Sequence, residues 1–207
     1  MKRLLPLLAL ISVAAPLQAR TLPPRDECAA DAAFAQFRAR LLDIVARHDA
    51  PGLLALTADD IRFSFGDDGG KQGFSAQWGL DSPDTSGLWP LLAGVLASGC
   101  AREAEHFSSP YIFSRFPEEL DPFSSGVAGP GARLYRTRTQ EETGTTAVDW
   151  EILVQVTMEN DGWANVHLQD GRTGLLPPGT VLSPIGHRAI FERRDGAWRL
   201  AAFVAGD

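Results

Sequence analysis

The chain has 207 residues, with 19 lysines and arginines against 26 aspartates and glutamates, a formal net charge of −7, and 44% hydrophobic residues. Affinity for nucleic acid or anionic lipid comes largely from clustered Lys and Arg, so an acidic chain of this kind is not expected to bind either. Its length suffices for one large domain or two small ones with an adequate buried core.

Residues 1–19 read as a secretory signal peptide. Lys2-Arg3 precedes an apolar run from Leu4 to Pro16 broken only by Ser12, and Ala19 offers the small residue at which such a leader is cut. The run is shorter than the ~20 apolar residues that span a bilayer. No other run of that length follows, so the mature chain is expected to lack a membrane span and to be periplasmic or secreted. Loss of Lys2 and Arg3 with the leader makes the remainder more acidic still. Cys28 and Cys100 both fall in the mature part, and in an oxidising compartment an even count favours a structural disulfide over two free thiols. A redox pair would more naturally show Cys-x-x-Cys spacing, which is absent.

Residues 20–30 contain Pro23-Pro24 and mixed charges and predict an extended lead-in. From Asp31 onward Phe34, Phe37, Leu41, Ile44 and Val45 recur at helical spacing, with Arg38, Arg40, Asp43 and Arg47 on the other side. That pattern predicts an amphipathic helix with one buried face. Leu53 to Leu56 adds a short helical turn, Ile61 to Phe65 alternates as a strand, Gly66 to Lys71 reads as a turn, and Phe74 to Leu80 as a weaker extended piece. Leu88, Trp89, Leu91, Leu92, Val95 and Leu96 predict a buried second helix, and Pro110 to Phe113 a short strand. A mostly helical N-terminal part is therefore expected over residues 31–115. Residues 116–130, rich in Pro, Gly and Ser, read as a linker loop.

Beyond the linker the pattern changes to short strands: Ala132 to Arg136, Ala147 to Thr157, Gly162 to Leu168, Arg172 to Leu176, His187 to Arg193 and Ala197 to Ala205. The turns at Asn160-Asp161-Gly162, Asp170-Gly171 and Asp195-Gly196 suit tight hairpins, because Gly, Asn and Asp tolerate positive φ.

Within this region Ala132-Arg133-Leu134-Tyr135, the strand Glu151 to Val156, Gly162-Trp163-Ala164-Asn165-Val166 and Gly174-Leu175-Leu176 are arranged in a way that resembles bacterial SH3 domains of cell-envelope proteins. The resemblance covers residues 131–184. It implies that Trp163 is planted in a barrel core, and that the ligand class is peptidoglycan or an envelope protein. Leu175 stands where the family usually has Tyr or Trp, which weakens an aromatic groove. The flanks bear a second likeness: the first helix, the strand Ile61 to Phe65 and the closing hairpin ending Asp195-Gly196-Ala197-Trp198-Arg199-Leu200 look like the beginning and end of ketosteroid-isomerase-like cone folds. That alternative implies an enzyme or small-molecule binder, with His48, Asp59 or Asp60 as base.

Catalytic signals are weak. His48, His106, His167 and His187 lack metal-ligand spacing, no Gly-x-Ser-x-Gly elbow is present, and the acids at Glu118-Glu119 and Glu141-Glu142 sit in loops. Asp67-Asp68 could attract Ca²⁺ weakly but reads better as a solvated turn. Neither cofactor nor metal is expected, and no catalytic residue is assigned. Trp150 and Tyr135 are the candidate ligand-binding residues. The expected architecture is α+β: a small helical N-terminal part packed on a C-terminal SH3-like antiparallel β-barrel over residues 131–207, with the terminal hairpin added to that barrel. The expected role is non-catalytic binding or scaffolding at the cell envelope.

Overall fold

The computed structural model describes residues 19–66 and 69–206. The expected signal peptide, apart from Ala19, and the Asp67-Asp68 pair therefore lie outside the described residues. Among the described residues no helix is long and apolar enough to cross a membrane.

Helix α1 (Ala32–Ala46) starts at Asp31, whose carboxylate accepts the Phe34 amide at 2.8 Å. This is the N-cap bond that satisfies one of the free donors of a first helical turn. Its apolar stripe is buried as the spacing predicts, with Phe34, Leu41 and Ile44 almost wholly enclosed. Asp49 caps α2 (Ala50–Leu56) in the same way, accepting the Gly52 amide at 2.9 Å. Strand β1 (Thr57–Arg62) follows directly, earlier than the alternation at Ile61 to Phe65 suggests.

Residues 70–78 are helical as α3 (Gly70–Trp78), which replaces the end of the turn expected to Lys71 and most of the extended piece expected from Phe74 to Leu80. Packing overrides local propensity here. Phe74 is fully buried, and Gly70 lies so close to β1 that a Cβ would sit 2.2 Å from the Asp59 carbonyl oxygen. Helix α4 (Leu88–Ala97) buries Trp89 and Leu92, but Leu91 is 40% exposed. Strands β2 (Ala101–Arg102) and β3 (His106–Ser109) come next, and the strand expected at Pro110 to Phe113 is instead the short helix α5 (Tyr111–Arg115). Pro110 stands at its N-cap, a place where a missing amide hydrogen costs nothing.

The remaining elements are β4 (Gly126–Ala128), β5 (Arg133–Leu134), β6 (Thr146–Ala147), β7 (Ile152–Met158), β8 (Ala164–Leu168), β9 (Thr173–Leu176), β10 (Val181–Leu182), β11 (Arg188–Arg194) and β12 (Ala197–Val204). Residues 116–130 are thus not all loop, because β4 lies within them as an inner strand. The fold is α+β. One five-stranded sheet has the order β1-β12-β11-β3-β2, with β1 and β12 parallel; the other has the order β10-β4-β7-β8-β9 and is antiparallel. A β5-β6 ribbon joins β9 through reciprocal Tyr135 and Leu175 backbone hydrogen bonds of 2.9 and 2.8 Å. The strands do not close into the expected barrel.

The terminal hairpin also departs from expectation. β11 and β12 pair with β3 and β1 in the first sheet rather than extending the second. The cause is the inward row of β11 and β12, Phe191, Leu200 and Phe203, which completes the core under α1. Phe34 stands at its centre, with the rings of Phe107, Trp198 and Phe191 at 4.8, 5.1 and 5.2 Å. Burying one such ring stabilises the fold by roughly 1.5–3 kcal/mol. A second core under β7 to β9 is built from Leu153, Val166, Leu168 and Leu176.

The lead-in is a strap across both sheets. Leu22 donates to the Trp150 carbonyl and Ile152 to the Arg20 carbonyl, at 2.8 and 2.9 Å, while Cys100 donates to Arg25 and Glu27 to Cys100, also at 2.8 and 2.9 Å. Cys28 and Cys100 are bonded across 72 residues, as expected of a disulfide, with Cα atoms 5.8 Å apart. Glu27 is fixed by Arg115, which also holds Glu103.

Candidate ligand-binding surface

Tyr135 is positioned by its paired backbone bonds to Leu175. This close approach requires a glycine at 174, where a Cβ would lie 2.6 Å from the Tyr135 carbonyl oxygen. On the neighbouring hairpin the turn before β8 places Trp163, whose carbonyl accepts the Glu159 amide at 2.8 Å and whose amide donates to Asp161 at 3.2 Å. The two rings meet edge to face, 5.6 Å between centroids at 88°. That geometry sets the positive edge of one ring against the negative face of the other.

The guanidinium of Arg138 lies 6.0 Å from the centre of the Trp163 ring. It is held there by Glu159 and by Asp161, the latter at 2.8 Å, and Asn165 donates to Glu159 as well. These exposed ion pairs are worth little in stability, about 0–1 kcal/mol. Their effect is to fix a cation beside the indole. The result is a half-buried aromatic pair with a polar rim, suited to stacking on a sugar ring or a peptide.

The two expected ligand residues are not brought into one cluster. Tyr135 is in the aromatic pair, but Trp150 packs against Ile112, Val127 and Ile152 where the strap and α5 meet the second sheet. Its backbone adopts φ 59°, uncommon outside glycine, with its amide bound to Ala128 and its carbonyl to Leu22. Trp150 is thus partly buried at the junction between the sheets. Trp163, which the family likeness put in a core, is half-buried and takes the place beside Tyr135. The signal that could have found it is its place next to the Gly162 turn, since the residue before β8 can face outward while Ala164 and Val166 point into the core.

Each group named for the cone-fold alternative has a partner of its own. Asp59 is exposed and paired with Lys71 at 2.6 Å, Asp60 is exposed and 3.5 Å from Arg194, and His48 stacks on Trp89 at 5.3 Å. β1 and β12 do share a sheet, but Phe34, Phe107, Phe191 and Trp198 occupy the space between α1 and that sheet. His187 packs against both Trp78 and Phe203, where burial pushes its imidazole below the ordinary value of 6.5. Among the described residues Asp26, Cys28 and Cys100 place three donor atoms within 4.8 Å of one another. The two sulfurs are bonded to each other, so neither is a thiolate ligand.

No family model matches the chain, and neither a curated protein nor a solved structure matches it.

Proposed function

We propose that this is a non-catalytic binding or scaffolding protein of the cell envelope, exported to the periplasm or beyond, and that the Tyr135–Trp163 pair is its contact surface for peptidoglycan. The observation that carries this reading is the half-buried aromatic pair with Arg138 fixed beside it. The bonded Cys28–Cys100 pair is consistent with an oxidising compartment. In this reading the second sheet and the β5-β6 ribbon form an open SH3-like module, and the first sheet with its helices is the support that carries it.

Co-sedimentation of the purified protein with isolated sacculi tests the proposal. The wild type is expected in the pellet, and Trp163→Ala and Tyr135→Ala each lower retention about tenfold, the scale of one lost stacking contact of 1–3 kcal/mol. Retention no greater than that of an unrelated acidic protein, or variants that sediment like the wild type, would overturn it. In the second case the contact lies elsewhere on the chain.

A further inference from the structure

The face of the first sheet turned away from α1 carries a cleft of about 270 Å³. Side chains alternate along a strand, so while Phe191 and Phe203 fill the core, Ile190 of β11 and Ala202 of β12 face outward and form the cleft floor. Phe65, 67% exposed, and Phe113 contribute apolar walls. Register across the sheet sets the polar groups at opposite sides. Arg62 of β1 pairs with Ala202, Ala202 with Ile190, and Ile190 with Ser108 of β3, next but one to His106.

The charges in this cleft differ in kind from those of the chain as a whole, which is acidic. Its carboxylate, Glu192, is already engaged by Arg194 at 2.8 Å. Arg188 closes one wall, its guanidinium 4.6 Å from the centre of the Phe113 ring and donating to the Gly206 carbonyl. Arg62 and His106 bring nitrogen donors to the two sides of an apolar floor three strand spacings wide, roughly 14 Å. Small-molecule sites are commonly built in this way, from apolar walls with a few placed polar groups.

We propose that this cleft binds an elongated amphipathic carboxylate lying across β12 and β11, with its apolar body on Ile190 and Ala202 and its carboxylate at Arg62. His106 bounds the far end of the floor. The site is separate from the Tyr135–Trp163 surface and stands or falls independently of it.

Calorimetric titration with decanoate, with decanol as the uncharged control, is the test. Decanoate is expected to bind at one site and at least about tenfold more tightly than decanol, the effect of one charge-assisted hydrogen bond. Arg62→Gln, on an exposed side chain, is expected to remove that preference while leaving the melting temperature and decanol affinity unchanged. Ala202→Phe fills the floor and abolishes binding of both. Should that variant fail to fold, methyl NMR of the wild type locates the ligand by shifts at Ile190 and Ala202. Equal affinity for the two probes, an Arg62→Gln variant that keeps its preference, or shifts confined to other methyls would each overturn the proposal.

Discussion

The guanidinium of Arg115 clasps the carboxylate of Glu27 at 2.6 Å, across 88 residues of chain, and so ties the strap to the end of α5. The side-chain hydrogen bond from Arg115 holds the Glu27 carboxyl below its ordinary value of 4.5, against the opposing effect of partial burial. Folding therefore favours the ionised form. The contribution is complete at neutral pH and is lost as the pH falls below 4.5 through the lowered value of the folded state. Urea unfolding should show Glu27→Gln to be less stable than the wild type by about 1 kcal/mol at pH 7, a solvent-screened pair being worth no more. At pH 3 the gap should narrow; an unchanged gap would mean that the loss has another cause.

Reduction of Cys28–Cys100 releases a loop of 72 residues. Loop-closure entropy puts the destabilisation at up to about 4 kcal/mol. A Cys28→Ser, Cys100→Ser variant should unfold at markedly lower urea concentration, and adding reductant should shift the wild type to the same midpoint. Midpoints that coincide without reductant would show that the bridge adds nothing.

His187 supplies a second acid sensitivity, of the same sign as that of Glu27 but with burial rather than an ion pair as its cause. Burial lowers its imidazole below 6.5, so the unfolded chain takes up this proton more readily than the folded one. Stability from this source is full above pH 6.5, declines as the pH falls below it, and levels off once the folded state also protonates. An NMR titration of the imidazole should give a midpoint below that of an unfolded reference. His187→Gln should flatten the pH dependence of unfolding between pH 7 and pH 5. A midpoint at or above the reference would contradict the packing against Trp78 and Phe203.

Gly174→Ala should separate β9 from Tyr135, because the new methyl meets a backbone oxygen that has no rotamer to escape into. A destabilisation of about 1–3 kcal/mol is the scale for an overpacked site. The Tyr135 and Leu175 amides should lose protection from hydrogen exchange while those of β11 and β12 keep theirs. Uniform loss of protection would show that the two sheets unfold together.

What the sequence made legible was periodic and local. The Phe34 to Val45 spacing, the Leu88 to Leu96 spacing and the Asp195-Gly196 turn each predict the element found there. What it hid was of two kinds. Strands of two or three residues, such as β4 and β10, are too short to show alternation, and β4 sits among Gly and Ser residues that read as loop. Pairing between distant segments leaves no local mark either, so the hairpin of β11 and β12 could be assigned correctly as a hairpin and still to the wrong sheet. The aromatic surface shows the same division. Tyr135 was legible as a candidate, whereas its partner Trp163 required knowing which side of β8 faces the core.

The placement of β12 between β1 and β11 bears on when the protein can fold. A chain emerging from the ribosome has made α1 and β3 long before it makes Phe191 and Trp198, partners of Phe34 and Phe107 that lie in β11 and β12. Until then the early segments have no complete core to collapse upon, and contacts between such distant segments form slowly in any case. The order of elements thus acts as a timer. It postpones completion of the first core until both β11 and β12 have been made.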